Sequence, residues 1–340
     1  MVRLALILIA PWFLLAAHAP LEPVVDPDPE LDTVEIEEWQ VSWEPTGIAD
    51  WPRDPYVGPD GKVWFAGQRG HFIGQFDPAT EEFQRWSLES GTEPHNVILD
   101  SDGYPWYAGL SGDHIGRLDP ATGDVRTYAA PEGVQGAHTQ VWDADGNMWF
   151  TAYRSSHVVK FDVSTGEMQE IHVDAGTGPY GLKLDPQGRP WFTTMGANVG
   201  MIDPATMEAT VYDTPDGDTR TRRLAITSDG RIWWGDYQGG YFGVLDPESG
   251  EMRQWMTPGG QEGGGLYAMV ADDQDRVWYF ETRAIPNRLI GFDPQTEEFF
   301  SITDVPSGGG TVRHIVYHEA DHAIWFATDR QTVGRATLPR

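Results

Sequence analysis

The sequence predicts an all-β chain, a seven-bladed β-propeller of four-stranded blades, and three observations carry that expectation. A Trp followed by an aromatic recurs seven times, at Trp64-Phe65, Trp106-Tyr107, Trp149-Phe150, Trp191-Phe192, Trp233-Trp234, Trp278-Tyr279 and Trp325-Phe326, with spacings of 42, 43, 42, 42, 45 and 47 residues. A period in this range marks a repeat architecture. Two turn signals accompany the pair at matching offsets in most copies. The outer strand missing after the last copy is found at the other end: Glu35-Ile36-Glu37-Glu38-Trp39-Gln40-Val41 superimposes on Glu82-Phe83-Gln84-Arg85-Trp86-Ser87-Leu88. An N-terminal strand thus completes the last blade and closes the ring, which leaves no blade interface open.

Residues 1–19 read as an export signal: Arg3, then an apolar run from Leu4 to Ala17, then small residues around Ala17-His18-Ala19. Fourteen apolar residues interrupted by Pro11 are too few to span a bilayer. A periplasmic or secreted location follows. Residues 20–34, rich in Pro, Asp and Glu, read as an extended acidic linker, and residues 35–340 as the propeller.

Within a repeat, an apolar run such as Val97-Ile98-Leu99 ends in a tight turn, Asp102-Gly103 in that copy and Asp60-Gly61, Asp145-Gly146, Gln187-Gly188 and Asp229-Gly230 elsewhere. The second strand carries the Trp pair. The third carries Ile73-Gly74, Ile115-Gly116, Val199-Gly200, Phe242-Gly243, Ile290-Gly291 or Val333-Gly334. A second turn opens on Asp with Pro in second place, as in Asp77-Pro78-Ala79-Thr80 and Asp119-Pro120-Ala121-Thr122, and leads to the outer strand. Burying one Trp side chain of ~150–250 Å² is worth about 4–6 kcal/mol before entropy. The Trp pairs are therefore core.

Lys and Arg number 23 against 52 Asp and Glu, a net charge of −29, which excludes nucleic acid and anionic membrane as partners. The surface reads as a solvated, self-repelling coat, and the chain as a monomer. Cysteine is absent, so disulfides and thiolate metal sites are excluded. No Gly-x-Ser-x-Gly or phosphate-cradling loop appears in context, and no organic cofactor is expected.

Gly178-Pro179-Tyr180-Gly181-Leu182, Trp191-Phe192-Thr193 and Ile115-Gly116-Arg117 resemble the virginiamycin B lyase (streptogramin lyase) family, and the resemblance covers residues 35–338. It implies a metal-dependent lyase, with Mg²⁺ or Ca²⁺, that opens a cyclic depsipeptide at its ester by elimination, using a His and a Glu near the mouth of the central channel. The family's Pro-His motif matches Pro94-His95. Its Glu would fall three residues after the Trp of the same blade, where this chain has Gly109. The residues eleven before and three after each Trp are Arg53 with Gly67, His95 with Gly109, His138 with Ala152, Tyr180 with Thr194, Arg222 with Asp236, Tyr267 with Glu281, and Arg313 (or His314, the turn being longer) with Thr328. No blade has both a His and an acid.

The first of these positions and the loop after the second strand share one face of a propeller. Five residues after each Trp come Arg69, Ser111, Arg154, Gly196, Gln238, Arg283 and Arg330. With Arg220 and Arg223, nine of the chain's 20 arginines map to one mouth. Arginine's planar fork binds carboxylate or phosphate through paired hydrogen bonds. The sequence thus predicts a substrate-binding funnel of Arg53, Arg69, Arg154, Tyr180, Arg222, Tyr267, Arg283, Arg313 and Arg330. His95 and His138 serve as bases, with Asp236 and Glu281 as acids across the mouth. The competing reading is a non-catalytic periplasmic binding or scaffold propeller for an anionic ligand or a protein segment. A six-bladed lactonase is disfavoured by the seven-fold count.

Overall fold

The computed structural model describes residues 31–41 and 51–340. The expected leader and linker residues 20–30 lie outside the described residues. The chain forms seven four-stranded antiparallel sheets, each strand pairing with its sequence neighbour, and the seventh sheet takes Glu35–Gln40 as its outermost strand. That strand pairs with Thr332–Thr337, Glu35 opposite Thr337 and Trp39 opposite Val333. Trp39 then lies 5.8 Å from Trp325 and 4.9 Å from Phe76 of blade 1. The first strands, Pro52–Val57, Pro94–Leu99, Ala137–Trp142, Pro179–Leu184, Thr221–Ile226, Leu266–Ala271 and Val312–His318, pack against one another around the axis.

Asp32 and Val34, placed by the sequence in a linker, run beside the outer strand of blade 6: the Asp32 amide donates to the Phe300 carbonyl (3.1 Å) and the Val34 amide to Thr303 Oγ1 (2.9 Å). Val34 is buried there, and its apolar side chain accounts for the ordering.

The core is divided rather than central. Seven clusters of buried side chains each join two neighbouring blades, the last of them joining blades 7 and 1 through Val63, Phe65, Phe76, Trp325 and Val333. The Trp of the motif is tied to its own first turn in six blades: Trp233 donates Nε1 to Thr227 and Trp325 to Asp321, both at 3.2 Å, and Trp106, Trp149, Trp191 and Trp278 each donate Nε1 to the Asp six residues earlier, at 2.8–3.0 Å. That same Asp accepts amides of the turn, as Asp100 does from Tyr104 (2.9 Å). The aromatic after the Trp explains the glycine of the third strand. Phe65, Tyr107, Phe192, Trp234 and Phe326 lie opposite Gly74, Gly116, Gly200, Gly243 and Gly334, and a Cβ on any of these glycines would fall within the ring. Blades 3 and 6 are the exceptions, with Val159 opposite Phe150 and Ile290 opposite Tyr279.

Gly263-Gly264-Gly265 is not a bare connector: Gly260–Gly263 makes one helical turn, and the Gly265 carbonyl accepts the Thr282 hydroxyl at 2.6 Å. Gly116→Val is expected to overpack Tyr107 and to cost about 1–3 kcal/mol, read as a lower denaturant midpoint at unchanged m-value.

Candidate functional site

Each first strand slips register once near its start: between Arg53 and Tyr56, Pro94 and Val97, Ala137 and Gln140, Pro179 and Leu182, Thr221 and Leu224, Leu266 and Met269, and Val312 and Ile315. A bulge takes side chains out of the ladder and re-aims them. Repeated around a ring, it gives two layers at the axis. The upper layer is Arg53, His95, His138, Tyr180, Arg222, Tyr267 and Arg313, and the next is Asp54, Asn96, Thr139, Gly181, Arg223, Ala268 and His314. The threonine of Trp-Phe-Thr fixes the bulge: Thr151 Oγ1 accepts the Thr139 amide (3.1 Å) and donates to the Tyr180 carbonyl of the next blade (2.9 Å). Thr193 does the same for the Gly181 amide (3.1 Å) and the Arg222 carbonyl (2.6 Å).

One guanidinium crosses the axis. Arg223 of blade 5 donates to Asp54 Oδ2 of blade 1 (2.5 Å), to Thr139 Oγ1 of blade 3 (2.7 Å) and to the Arg313 carbonyl of blade 7 (3.3 Å). Both charged residues are buried. Asp54 Oδ2 also lies 3.6 Å from His95 Nδ1. The ring centre of His95 lies 3.7 Å from that of His138, and His138 3.9 Å from Tyr180, both pairs tilted. Tyr180 and Tyr267 share a hydroxyl–hydroxyl bond of 2.5 Å.

Burial alone would push the Asp54 carboxyl up, but Arg223, His95 and His314 outweigh it and hold it well below the usual carboxylate range. Burial lowers His95, against the pull of Asp54 and with the help of Arg53 and Arg223. Burial, then His95 and Arg223, push His138 well down. Both imidazoles are therefore neutral near pH 7, with a lone pair available.

Among the described residues, no carboxylate lies within ion-pair distance of two guanidiniums of the upper layer. Arg222 is 8% exposed; its Nη1 reaches Met195 Sδ (2.7 Å) and its Nε is buried without a partner. Arg53 Nε is likewise buried and unpartnered. Burial and the neighbouring Arg313 charge lower the pKa of Arg53, against the weaker pull of Asp329 and Asp54. Arg313 itself is bridged to Asp329. Arg69, Arg154, Arg283 and Arg330 are exposed. Arg154 and Arg283 are turned onto the Leu110 carbonyl (3.3 Å) and the Gln238 carbonyl (2.8 Å) of the preceding blades.

Asp236 and Glu281, expected as acids facing the histidines, do other work. Asp236 is fully buried and accepts the amides of Arg220 (2.7 Å), Gln238 (2.8 Å) and Gly239 (2.6 Å). Glu281 is bridged to Arg288 and accepts from Thr257 Oγ1 (2.5 Å) and the Gly259 amide (2.6 Å). Both staple loops. The acid beside His95 is Asp54, from the preceding blade, which a comparison within single blades misses. Also missed were Tyr153, Met195 and Tyr237, four residues after their Trp. The signal was available as a third offset from the same landmark.

A hard divalent cation needs several free oxygen ligands. Among the described residues no group of three or more His, Asp or Glu is placed to hold a metal ion, and Asp54, Asp236, Glu281 and Asp329 are each bonded to arginine or to amides. These residues do not fit Mg²⁺ or Ca²⁺.

His314 joins the axial cluster; burial first, then Arg223, bring its pKa from the ordinary 6.5 down to about 3. The unfolded chain takes that proton near pH 6.5 and the folded chain only near 3, so the folded state binds fewer protons in between. Stability is expected to be full above pH ~6.5 and to fall as the pH drops toward ~3. His314→Asn should flatten that slope in denaturant titrations at stepped pH. Asp54→Ala should cost about 3–5 kcal/mol by stranding Arg223, read in the same titration at pH 7.

No protein-family model and no curated protein sequence matches the chain. Among solved structures it is similar to selenomethionine-substituted virginiamycin B lyase from Staphylococcus aureus, with a TM-score of 0.79 at 18% identity over 90% of this chain and 99% of that one. It is similar also to a catalytically inactive histidine-to-alanine variant of the S. aureus lyase with quinupristin, with a TM-score of 0.78 at 19% identity over 90% of this chain and 100% of that one. A streptogramin B lyase structure matches with a TM-score of 0.78 at 20% identity over 90% of this chain and 98% of that one. At these identities the likeness is one of fold: the chain is a seven-bladed propeller built as these lyases are.

Proposed function

We propose that the protein is an exported, lyase-like propeller enzyme that takes a small anionic or ester-bearing substrate at the axial mouth. The observation that carries this reading is that Arg222, buried, and Arg53, half-buried, find no carboxylate partner among the described residues of a protein of net charge −29. A buried, unpaired charge is costly, and a substrate carboxylate or ester carbonyl would relieve that cost through charge-assisted bonds. His95 supplies the base. The Asp54 carboxylate, 3.6 Å from Nδ1, favours by its charge the tautomer with the proton there and leaves the Nε2 lone pair to act. In the elimination, the C–H bond β to the ester oxygen breaks and its proton passes to His95. Its electron pair forms a C=C bond, the C–O bond breaks, and the departing carboxylate is held by Arg53 and Arg222. The fold shared with the lyases and the apolar leader from Leu4 to Ala17 support the same reading.

One observation favours the alternative, a non-catalytic propeller binding an anion at the same mouth: His95 and His138 are only 4% and 1% exposed. The two readings separate by experiment. A thermal-shift screen of cyclic depsipeptides, lactones, uronic acids and phosphates is expected to reveal anion binding; a ligand at 100 times Kd adds ~2.7 kcal/mol. Arg53→Gln and Arg222→Gln should abolish the shift. His95→Ala should abolish turnover of any substrate found while leaving anion affinity intact, and turnover that survives would refute the catalytic assignment. Because burial lowers the His95 pKa, the acid limb of kcat/KM should lie below the ordinary histidine value of 6.5.

A further inference from the structure

The first-strand residue that pairs with the motif Trp is Tyr56, Ile98, Val141, Lys183, Ala225, Val270 and Val316 in blades 1 to 7. Six of the seven are apolar or aromatic, so the repeat does not call for an amine at this level. Lys183 is also one of only three lysines in the chain. The other two have partners: Lys62 bridges Asp77 (3.6 Å), and Lys160 Nζ stands 5.5 Å from the centre of the Trp149 ring. Lys183 has, among the described residues, neither a carboxylate within ion-pair distance nor a hydrogen-bond acceptor. The groups whose charge it feels most, or acts on, are Arg223 and His314 of the axial layer.

Each first strand runs from the mouth to the opposite face of the ring. On blade 4 it passes Tyr180 in the upper layer and Gly181 level with Arg223 before it reaches Lys183, which is half-buried. Arg223, bonded to blades 1, 3 and 7, stands between Lys183 and the mouth. The amine therefore belongs to a part of the channel separate from His95 and Arg222. An ammonium held there without an anion is costly, whereas a neutral amine is not. Burial first, and then the Arg223 charge, bring its pKa from 10.5 down to about 8. A desolvated lysine beside a second cation keeps its lone pair near neutral pH and attacks carbonyl carbon. Val141 and Ala225, at the same level on the flanking blades, offer apolar contact to a short carbon chain.

We propose that Lys183 is a carbonyl-capturing amine, which holds a small uncharged aliphatic aldehyde as an imine in the stretch of channel beyond Arg223. The lysine nitrogen forms a bond to the aldehyde carbon. The carbonyl oxygen takes both amine protons and leaves as water, and the C–O bond is replaced by C=N with no net oxidation or reduction. This site is independent of the anion-binding reading of the mouth.

The test exposes the full chain to propanal and cyanoborohydride, which delivers hydride to the imine carbon and fixes it as a secondary amine, with the modified residues read by peptide mass mapping. At pH 7 Lys183 is expected to be alkylated at least about tenfold faster than Lys62 or Lys160, because a larger fraction of it is neutral. Its rate should saturate with propanal, and at a lower concentration than with succinic semialdehyde, which carries the same reacting group on a carboxylate. Lys183→Met should take up label only at the rate of the other two lysines. Labelling of Lys183 no faster than theirs would overturn the proposal, and so would a rate strictly linear in propanal, which marks a reactive side chain without a site. Earlier saturation by the charged aldehyde would overturn the uncharged ligand class.

Discussion

The hydrogen-bonded pair of Arg223 and Asp54 sets the terms for everything at the axis. A propeller brings the edges of seven first strands together around a channel, and the bulge in each strand turns side chains into it. Charges placed there leave water, so each needs a partner or becomes a liability. Arg223 meets the requirement from blade 5 by reaching blades 1, 3 and 7 at once. Seven sheets that pack mainly against their neighbours are thereby coupled across the ring. Non-neighbouring blades are also joined in the upper layer, where Tyr180 of blade 4 meets Tyr267 of blade 6.

The same pair fixes the chemistry of the layer above it. Asp54 is held charged by Arg223, so it can act on His95 as a fixed negative neighbour instead of exchanging protons with it. The guanidiniums of Arg53 and Arg223 add to burial in keeping His95 neutral, and Arg223 does the same for His138 and His314. Buried cations thus purchase neutral imidazoles. They also leave an excess of positive charge, since Asp54 and Asp329 answer Arg223 and Arg313 but, among the described residues, nothing in ion-pair contact answers Arg53 or Arg222.

The ring, its seven-fold count and its closure were legible because they follow from local chemistry repeated at a fixed period: Trp39 matches Trp86, and Gly116 stands where Tyr107 needs room. The residues of the upper layer were legible by counting back from each Trp, for the same reason. Their partners were not. A carboxylate read in sequence does not disclose which amides will turn toward it, so Asp236 and Glu281 could be placed near the mouth but not recognised as loop staples. The contact of Asp54 with His95 lies between blades, and so does that of Arg223 with Asp54. Long-range pairing is set by the closed ring and leaves no mark within a repeat. The ordering of Val34 against blade 6 is similar, since scattered apolar residues in an acidic stretch carry no periodic signal.

A protein with 52 acids and 23 bases repels anions at long range, which places a constraint on how such a mouth can work. Exposed charges are screened over ~8 Å at physiological ionic strength, whereas buried charges are screened far less. The acidic coat therefore fades within a few ångströms of the surface, while Arg53 and Arg222 keep their field inside the mouth. Recognition then depends on contact and not on steering. Under the proposed function, an anion would gain little on approach and would have to gain its affinity from the guanidiniums it touches inside the mouth.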